Sequence, residues 1–282
     1  MPPYDPRLTP ARPDLAARAL AGKVAAARFV DGDLREVVEP QVPVRRAPSP
    51  DAPLDTEALM GERVTVYETN EEGWAWGQLA ADRYVGYLPA NGLGPPGPAP
   101  THRVGALRTL AFPGPSLKLP PLAGLPFGAT LAVARFDDRF AVTASGAYVP
   151  ARHLIAIDRR EDDFVAVAER FLGTPYLWGG KTSLGLDCSG LVQIALAVCG
   201  VACPRDTDMQ EAALGETVAG PVRRGDLMFW KGHVAIVRDP ATLVHANGFH
   251  MAVAVEPIEA AVARIRPTDG AVTGIKRLAS VA

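Results

Sequence analysis

Cysteine is scarce in this 282-residue chain, with only Cys188, Cys199 and Cys203. Three cannot pair completely and none stands in a Cys-x-x-Cys pair, which argues against a disulfide framework, a redox dithiol and a structural zinc site. An excess of one charge sign is also missing. Lys plus Arg (29) nearly balances Asp plus Glu (31), for a formal net charge of -2, so there is no footprint for nucleic acid and no polybasic membrane anchor. Long apolar runs are lacking as well. The longest, Leu191 to Cys203, is interrupted by Gln193 and is too short to cross a bilayer. The opening Met1-Pro2-Pro3-Tyr4-Asp5-Pro6 offers no basic start followed by an apolar core, so no secretory signal is read. Together with the few cysteines, these absences lead us to expect a soluble cytoplasmic protein.

What is present begins with a hydrophobic fraction of 48%, enough for the cores of two or three small domains. Residues 1–33 form an N-terminal extension in which Asp14, after Pro13, is placed to cap a short alanine-rich helix running to about Phe29. Residues 34–95 change to short alternating runs: Val37-Val38, Val42 to Val44, Val64 to Tyr67, Trp74 to Leu79 and Tyr84 to Pro89. With Glu72-Gly73 and Ala81-Asp82 as turns, this spacing predicts a small β-barrel. Gly94 to Pro100 breaks any regular structure and reads as a linker. Residues 101–157 follow the same grammar, with strands expected at 104–107, 131–134, 140–142 and 147–150. Tyr148-Val149-Pro150 echoes Tyr87-Leu88-Pro89, which suggests two related barrels in tandem.

From residue 161 the pattern turns helical. Phe164, Val165, Ala168, Phe171 and Leu172 share one face before Gly173, and a second helix is expected from Cys188 to Cys199, ended by Gly200. Alternating strands follow at 226–230, 233–237 and 242–245. Helices followed by an antiparallel sheet make residues 161–282 an α+β domain.

The chemistry concentrates there. Asp187 sits where an N-cap belongs, placing Cys188 in the first helical turn, where unpaired N–H groups and the helix dipole favour a thiolate. Cys199 and Cys203 suit the blander role of small buried hydrophobes. His233 follows Lys231-Gly232 and starts an apolar strand; His245 lies twelve residues on, beyond Asp239-Pro240. In a hairpin the two would occupy neighbouring strands, His233 as base for the thiol and His245 orienting its other ring nitrogen.

Three blocks in order, Asp187-Cys188-Ser189-Gly190-Leu191, Gly225-Asp226-Leu227 before Gly232-His233-Val234-Ala235-Ile236, and Val244-His245-Ala246, resemble those of the NlpC-type cell-wall cysteine peptidases. The resemblance implies a papain-like fold with Cys188, His233 and His245 as triad, no cofactor, and Tyr176 as an active-site tyrosine near the oxyanion. The tandem SH3-like barrels, Trp178 and Pro204-Arg205-Asp206-Thr207 further resemble the γ-D-glutamyl-L-diamino acid endopeptidases (the dipeptidyl-peptidase VI type). That likeness implies a murein-derived substrate, L-Ala-γ-D-Glu-diamino acid, with a free N-terminal alanine. It gives Asp206 the alanine ammonium, assigns Tyr87 and Glu62 of the first barrel to the same end, and sets Asp187 and Ser189 at the γ-D-glutamyl subsite. Thr207 stands where the family pattern has serine and keeps the hydroxyl. Three other readings are weighed against this one. They are a general murein hydrolase with wall-binding barrels, a non-catalytic murein-binding protein, and a metal site built on Cys188, His233 and His245, for which no fourth ligand is apparent.

Overall fold

The computed structural model describes residues 4–279, and the chain divides into two compact units between Ile157 and Asp158.

In the first unit the expected N-terminal helix is absent. Leu15–Ala17 and Arg28–Val30 are instead paired parallel strands, with a single 3₁₀ turn at Arg18–Leu20. Asp14 does not cap it, being ion-paired with Arg12 at 2.7 Å. Tertiary packing overrides alanine's helix preference here: Leu15 is buried against Trp76 and Val85, and the Val85 N–H donates to the Arg7 carbonyl. Seven antiparallel strands then form one sheet, in the order 54–59, 41–45, 85–89, 74–79, 63–69, 33–37, 93–94. Val37, Val44, Ala58, Val64, Ala75 and Leu88 belong to one buried cluster, so the sheet curls around a core of its own. Gly77 and Gly86 face each other across two of these strands. A Cβ on Gly86 would lie 2.5 Å from a Val44 methyl carbon, so the bend tolerates no side chain there.

The second module of this unit is also all-β, three small antiparallel sheets around Val104, Leu125, Leu131 and Val149. The sequence echo has a structural counterpart. Val85–Pro89 and Tyr148–Pro150 each end in a proline followed by a three-residue 3₁₀ turn, Ala90–Gly92 and Ala151–His153, and a short closing strand. The expected linker runs back along the first module, where the Gly97 N–H donates to Glu36 and Arg63 donates to the Gly97 carbonyl.

The second unit carries helices α1 (Phe164–Glu169), α2 (Cys188–Val198), α3 (Thr207–Ala213) and α4 (Ile258–Asp269). Its six-stranded sheet comprises β1 (Glu216–Thr217), β2 (Asp226–Trp230), β3 (His233–Asp239), β4 (Thr242–Asn247), β5 (Ala252–Pro257) and β6 (Gly274–Arg277), in the order β1-β6-β2-β3-β4-β5. α2 is buried all round except at Ala197, as a helix through a core must be. α1 caps itself on Asp163, whose side chain accepts from the Val165 and Ala166 N–H groups. Leu172, expected on the apolar face of α1, lies beyond its end and is exposed. One sheet face packs under α4 through Trp230, Val237, Leu243, Ala261 and Ile265. Gly232, at φ 78, turns β2 into β3 and so sets where His233 begins.

Candidate active site

The site is built where α2 begins. Asp187 is its N-cap, with extended backbone (φ -97, ψ 178), and its Oδ1 accepts from the Gly190 N–H at 2.7 Å. Gly190 is required there, because a Cβ would sit 2.3 Å from the Gly180 carbonyl oxygen. Cys188, the first helical residue, is buried. The backbone N–H of Val234, the residue after His233, is near enough to its Sγ to favour the thiolate, and the Thr207 hydroxyl lies 3.8 Å away.

Position at a helix start predicts a lowered thiol pKa; the surroundings reverse it. Burial pushes the Cys188 thiol up to about 11, the Asp187 carboxylate adds to the rise, and Val234, Thr207 and Arg205 offset only part of it. Desolvation likewise lowers His233 to about 3, with His245 and Arg264 adding to the effect. The resting pair is therefore a neutral thiol and a neutral imidazole.

The structure brings the two histidines together. Extending the register that pairs Ile236 with Val244 puts Ala235 opposite His245, so His233 is its diagonal neighbour on the same face. His233 Nε2 and His245 Nδ1 are 2.9 Å apart. That contact engages the Nε2 of His233 and not its Nδ1. Trp230, opposite His233 in the hairpin, packs its ring 5.6 Å from the imidazole and limits its rotation. His245 is fully buried, and its Nε2 lies 3.1 Å from Glu256, which Arg264 clamps in turn.

Tyr176 is half-buried on a segment bridged to Leu186. Burial and the nearby Cys188 and Asp187 raise its hydroxyl well above the usual tyrosine range, so it stays a donor. Trp178, two residues on, is 64% exposed. Asp187 and Ser189 are drawn inward. Arg205, only 1% exposed, donates to both Asp187 oxygens at 2.9 and 2.7 Å and to the Ser189 hydroxyl at 2.8 Å. Their side chains hold the wall of the site from within. The same arginine pins the segment that carries Asp206 and Thr207. Asp206 stands at the N-cap position of α3 without a side-chain cap bond, half-buried between Arg205 and Thr207.

Tyr87 and Glu62 belong to the first unit. Tyr87 lies on the strand Val85–Pro89, accepts from Arg12 at 3.0 Å and lines a cleft of about 750 Å³ with Trp76 and Tyr84. Glu62 sits in the turn before the strand Arg63–Thr69. Among the described residues no group of three or more His, Cys, Asp or Glu is set to hold a metal ion, Cys188, His233 and His245 included.

Sequence reasoning missed Glu256 and Arg264. One signal was available: Glu256 is the single charge in the strand Ala252–Pro257, and Arg264 follows eight residues later.

Comparison with known proteins points the same way. Residues 44–93 match the bacterial dipeptidyl-peptidase SH3 domain, and residues 173–266 match the NlpC/P60 family. Over 98 residues the chain is 37% identical to dipeptidyl-peptidase 6 of Lysinibacillus sphaericus, a stretch covering 34% of this chain and 36% of that one. Over 105 residues it is 30% identical to the γ-D-glutamyl-L-lysine dipeptidyl-peptidase of Bacillus cereus, covering 34% and 32%. The match thus spans about a third of the length of these relatives. A crystal structure of an NlpC/P60 family protein from Bacillus cereus superposes with a TM-score of 0.72 over 87% of this chain and 99% of that one, at 20% identity, and shares its fold.

Proposed function

We propose, from the premise that residues 173–266 belong to the NlpC/P60 family of cysteine peptidases and residues 44–93 are a bacterial dipeptidyl-peptidase SH3 domain, that this chain hydrolyses the γ-D-glutamyl–diamino acid bond of murein peptides carrying a free N-terminal L-alanine. The observation that carries the reading is the juxtaposition of Cys188 at the start of α2, Val234 beside its sulfur, and His233 bonded to His245. As Sγ attacks the γ-carbonyl carbon, His233 Nδ1 takes the thiol proton. The carbonyl oxygen gathers negative charge, which the protonated Tyr176 hydroxyl and the helix start stabilise. The C–N bond then breaks, the proton passes from His233 to the leaving amine, and L-Ala-γ-D-Glu remains as a thioester on Cys188. Water, deprotonated by the same nitrogen, releases it.

Three features favour released peptide rather than intact wall as the target. The two relatives above are named for dipeptidyl-peptidase activity, which counts from a free N-terminus, and the acidic Asp206 immediately precedes Thr207, whose hydroxyl lies 3.8 Å from the Cys188 sulfur. Among the described residues none of the three cysteines is in a disulfide, which suits a reducing compartment and recycling of peptides in the cytoplasm.

The test is digestion of L-Ala-γ-D-Glu-diaminopimelate with mass analysis of the products, beside its N-acetylated form and cross-linked murein. The free tripeptide should yield L-Ala-γ-D-Glu. Acetylation should cost about 2–5 kcal/mol in kcat/KM, the loss typical when a carboxylate in a closed site loses its cationic partner. Asp206→Asn should narrow that gap by weakening only the free peptide. Equal cleavage of the acetylated peptide, or efficient digestion of murein, would favour a general wall hydrolase.

A further inference from the structure

Behind the two histidines lies a pair of charges that neither the proposed chemistry nor the motifs use. Glu256 is buried, and Arg264 grips it with both arms of the guanidinium, Nε to Oε1 at 2.9 Å and Nη2 to Oε2 at 2.6 Å. Strand register explains its reach: β4 and β5 pair His245 with Ala254 and Leu243 with Glu256, which makes Glu256 the diagonal neighbour of His245 on one face. Arg264 is itself held by the Phe249 ring, 4.5 Å from its guanidinium carbon.

We infer that Glu256, clamped by Arg264, is a positioning residue that fixes which nitrogen of each histidine carries its proton, so that His233 presents a bare Nδ1 to Cys188; the inference rests on the peptidase reading above. The logic runs outward from the carboxylate. Hydrogen bonding from Arg264 lowers Glu256 below the usual glutamate range and, with the charge of Arg264, keeps it ionised, so its oxygens only accept. His245 Nε2, 3.1 Å away, must therefore donate. Burial keeps His245 neutral, lowered to about 4 even with Glu256 beside it, as Arg264 and His250 also disfavour its charge. A neutral ring with its proton on Nε2 has only a lone pair on Nδ1. His233 Nε2, 2.9 Å from that lone pair, is then the donor. Its Nδ1 is left unprotonated, the form a base needs. Reversing the chain at Glu256 would reverse every link and point an N–H at the thiol.

Glu256→Gln makes that reversal. With Arg264 in place, the amide turns its oxygen to the guanidinium and its NH₂ to His245, whose Nε2 must now accept. Loss of the base tautomer should lower kcat on the tripeptide on the order of 10²-fold, the lower end of what a general base contributes, with KM little changed. Adding Arg264→Met removes the competing cation, lets the amide oxygen face His245, and should recover most of the loss. A merely structural role predicts the opposite order, with the double variant worse than the single. Independently of any substrate, ¹⁵N spectra of the histidine-labelled full chain should show His233 and His245 both protonated on Nε2. Wild-type kcat in Glu256→Gln, a double variant no better than the single, or either histidine protonated on Nδ1 in the wild type would overturn the inference. The nitrogen spectra decide it even if Glu256→Gln fails to fold. A wild type that cleaves no tripeptide would defeat the functional reading and leave the spectra to judge this one.

Discussion

At Cys188 two consequences of the same fold oppose each other. The start of a helix favours a thiolate, while burial beside Asp187 disfavours it, and burial prevails. Proton transfer to His233 then belongs to the reaction itself rather than to the resting enzyme. The imidazole must be neutral to accept, and desolvation lowers its pKa to about 3, so it is available far below the usual histidine range. Of the groups around it, His245 and Arg264 lower it further, Glu256 raises it and only partly offsets the burial, and Trp230 covers the ring. The acid limb of kcat/KM against pH should accordingly fall below about pH 5, since that limb reports the essential base of the free enzyme. A midpoint near 6.5 would mean that His233 is solvated during turnover. Residue types and spacing alone single out Cys188, His233 and His245 as candidates, and the structure brings the two histidines to 2.9 Å. The direction of the thiol shift could not, because it depends on what covers the sulfur: Asp187, Thr207 and the Val234 backbone meet only in three dimensions.

Among the elements, the first turn of α2 is held by a buried network of charges and hydrogen bonds. Asp187 caps it and Arg205 neutralises the cap, both buried in the same network with Ser189 and the Gly180 carbonyl. Removing one partner of a buried pair leaves the other charged and unsolvated, which costs about 3–5 kcal/mol. Arg205→Ala should show a loss of that size in urea unfolding and a larger loss of activity, because the Asp206–Thr207 segment is released as well. A change under about 1 kcal/mol would place this pair with ordinary surface ion pairs. Strongly periodic elements were readable: α2 runs 188–198 against an expected 188–199, and β2, β3 and β4 lie where alternation put them. Weakly patterned ones were not. Leu54–Leu59 carries Asp, Thr and Glu among its apolar residues and still forms a strand, and α4 has so polar a face that only Ala261 and Ile265 are buried. The alanine-rich stretch after Asp14 shows the opposite failure, a local preference overruled by the barrel it lies on.

For the molecule as a whole, acid is the informative stress. His245 is 1% exposed and neutral, lowered to about 4 from its usual 6.5. Between those values the unfolded chain binds a proton that the folded chain refuses, so stability falls as pH drops from about 6.5 to about 4. Asp226 paired with Arg277, Glu256 with Arg264, and Asp163 with Arg224 are all held below the ordinary carboxylate range. Their contribution is present above that range and is lost as pH falls through their folded values, extending the decline to lower pH. His233, lowered to about 3, adds to the same decline, so thermal unfolding should show Tm falling in two stages on acidification, and His245→Asn should lessen the first stage without abolishing it. A Tm constant from pH 7 to 4 would mean that His245 takes up its proton in the folded state.

The central claim is that Cys188 forms a covalent bond to the γ-D-glutamyl carbonyl, and intact-mass measurement of acid-quenched turnover tests it most directly. During cleavage of L-Ala-γ-D-Glu-diaminopimelate, the account predicts a protein species heavier by one L-Ala-γ-D-Glu acyl group. Peptide mapping should place that acyl group on Cys188, and it should be absent, together with all turnover, from a folded Cys188→Ala variant. Turnover that persists in Cys188→Ala, or an acyl group mapped to Cys199 or Cys203, would contradict it.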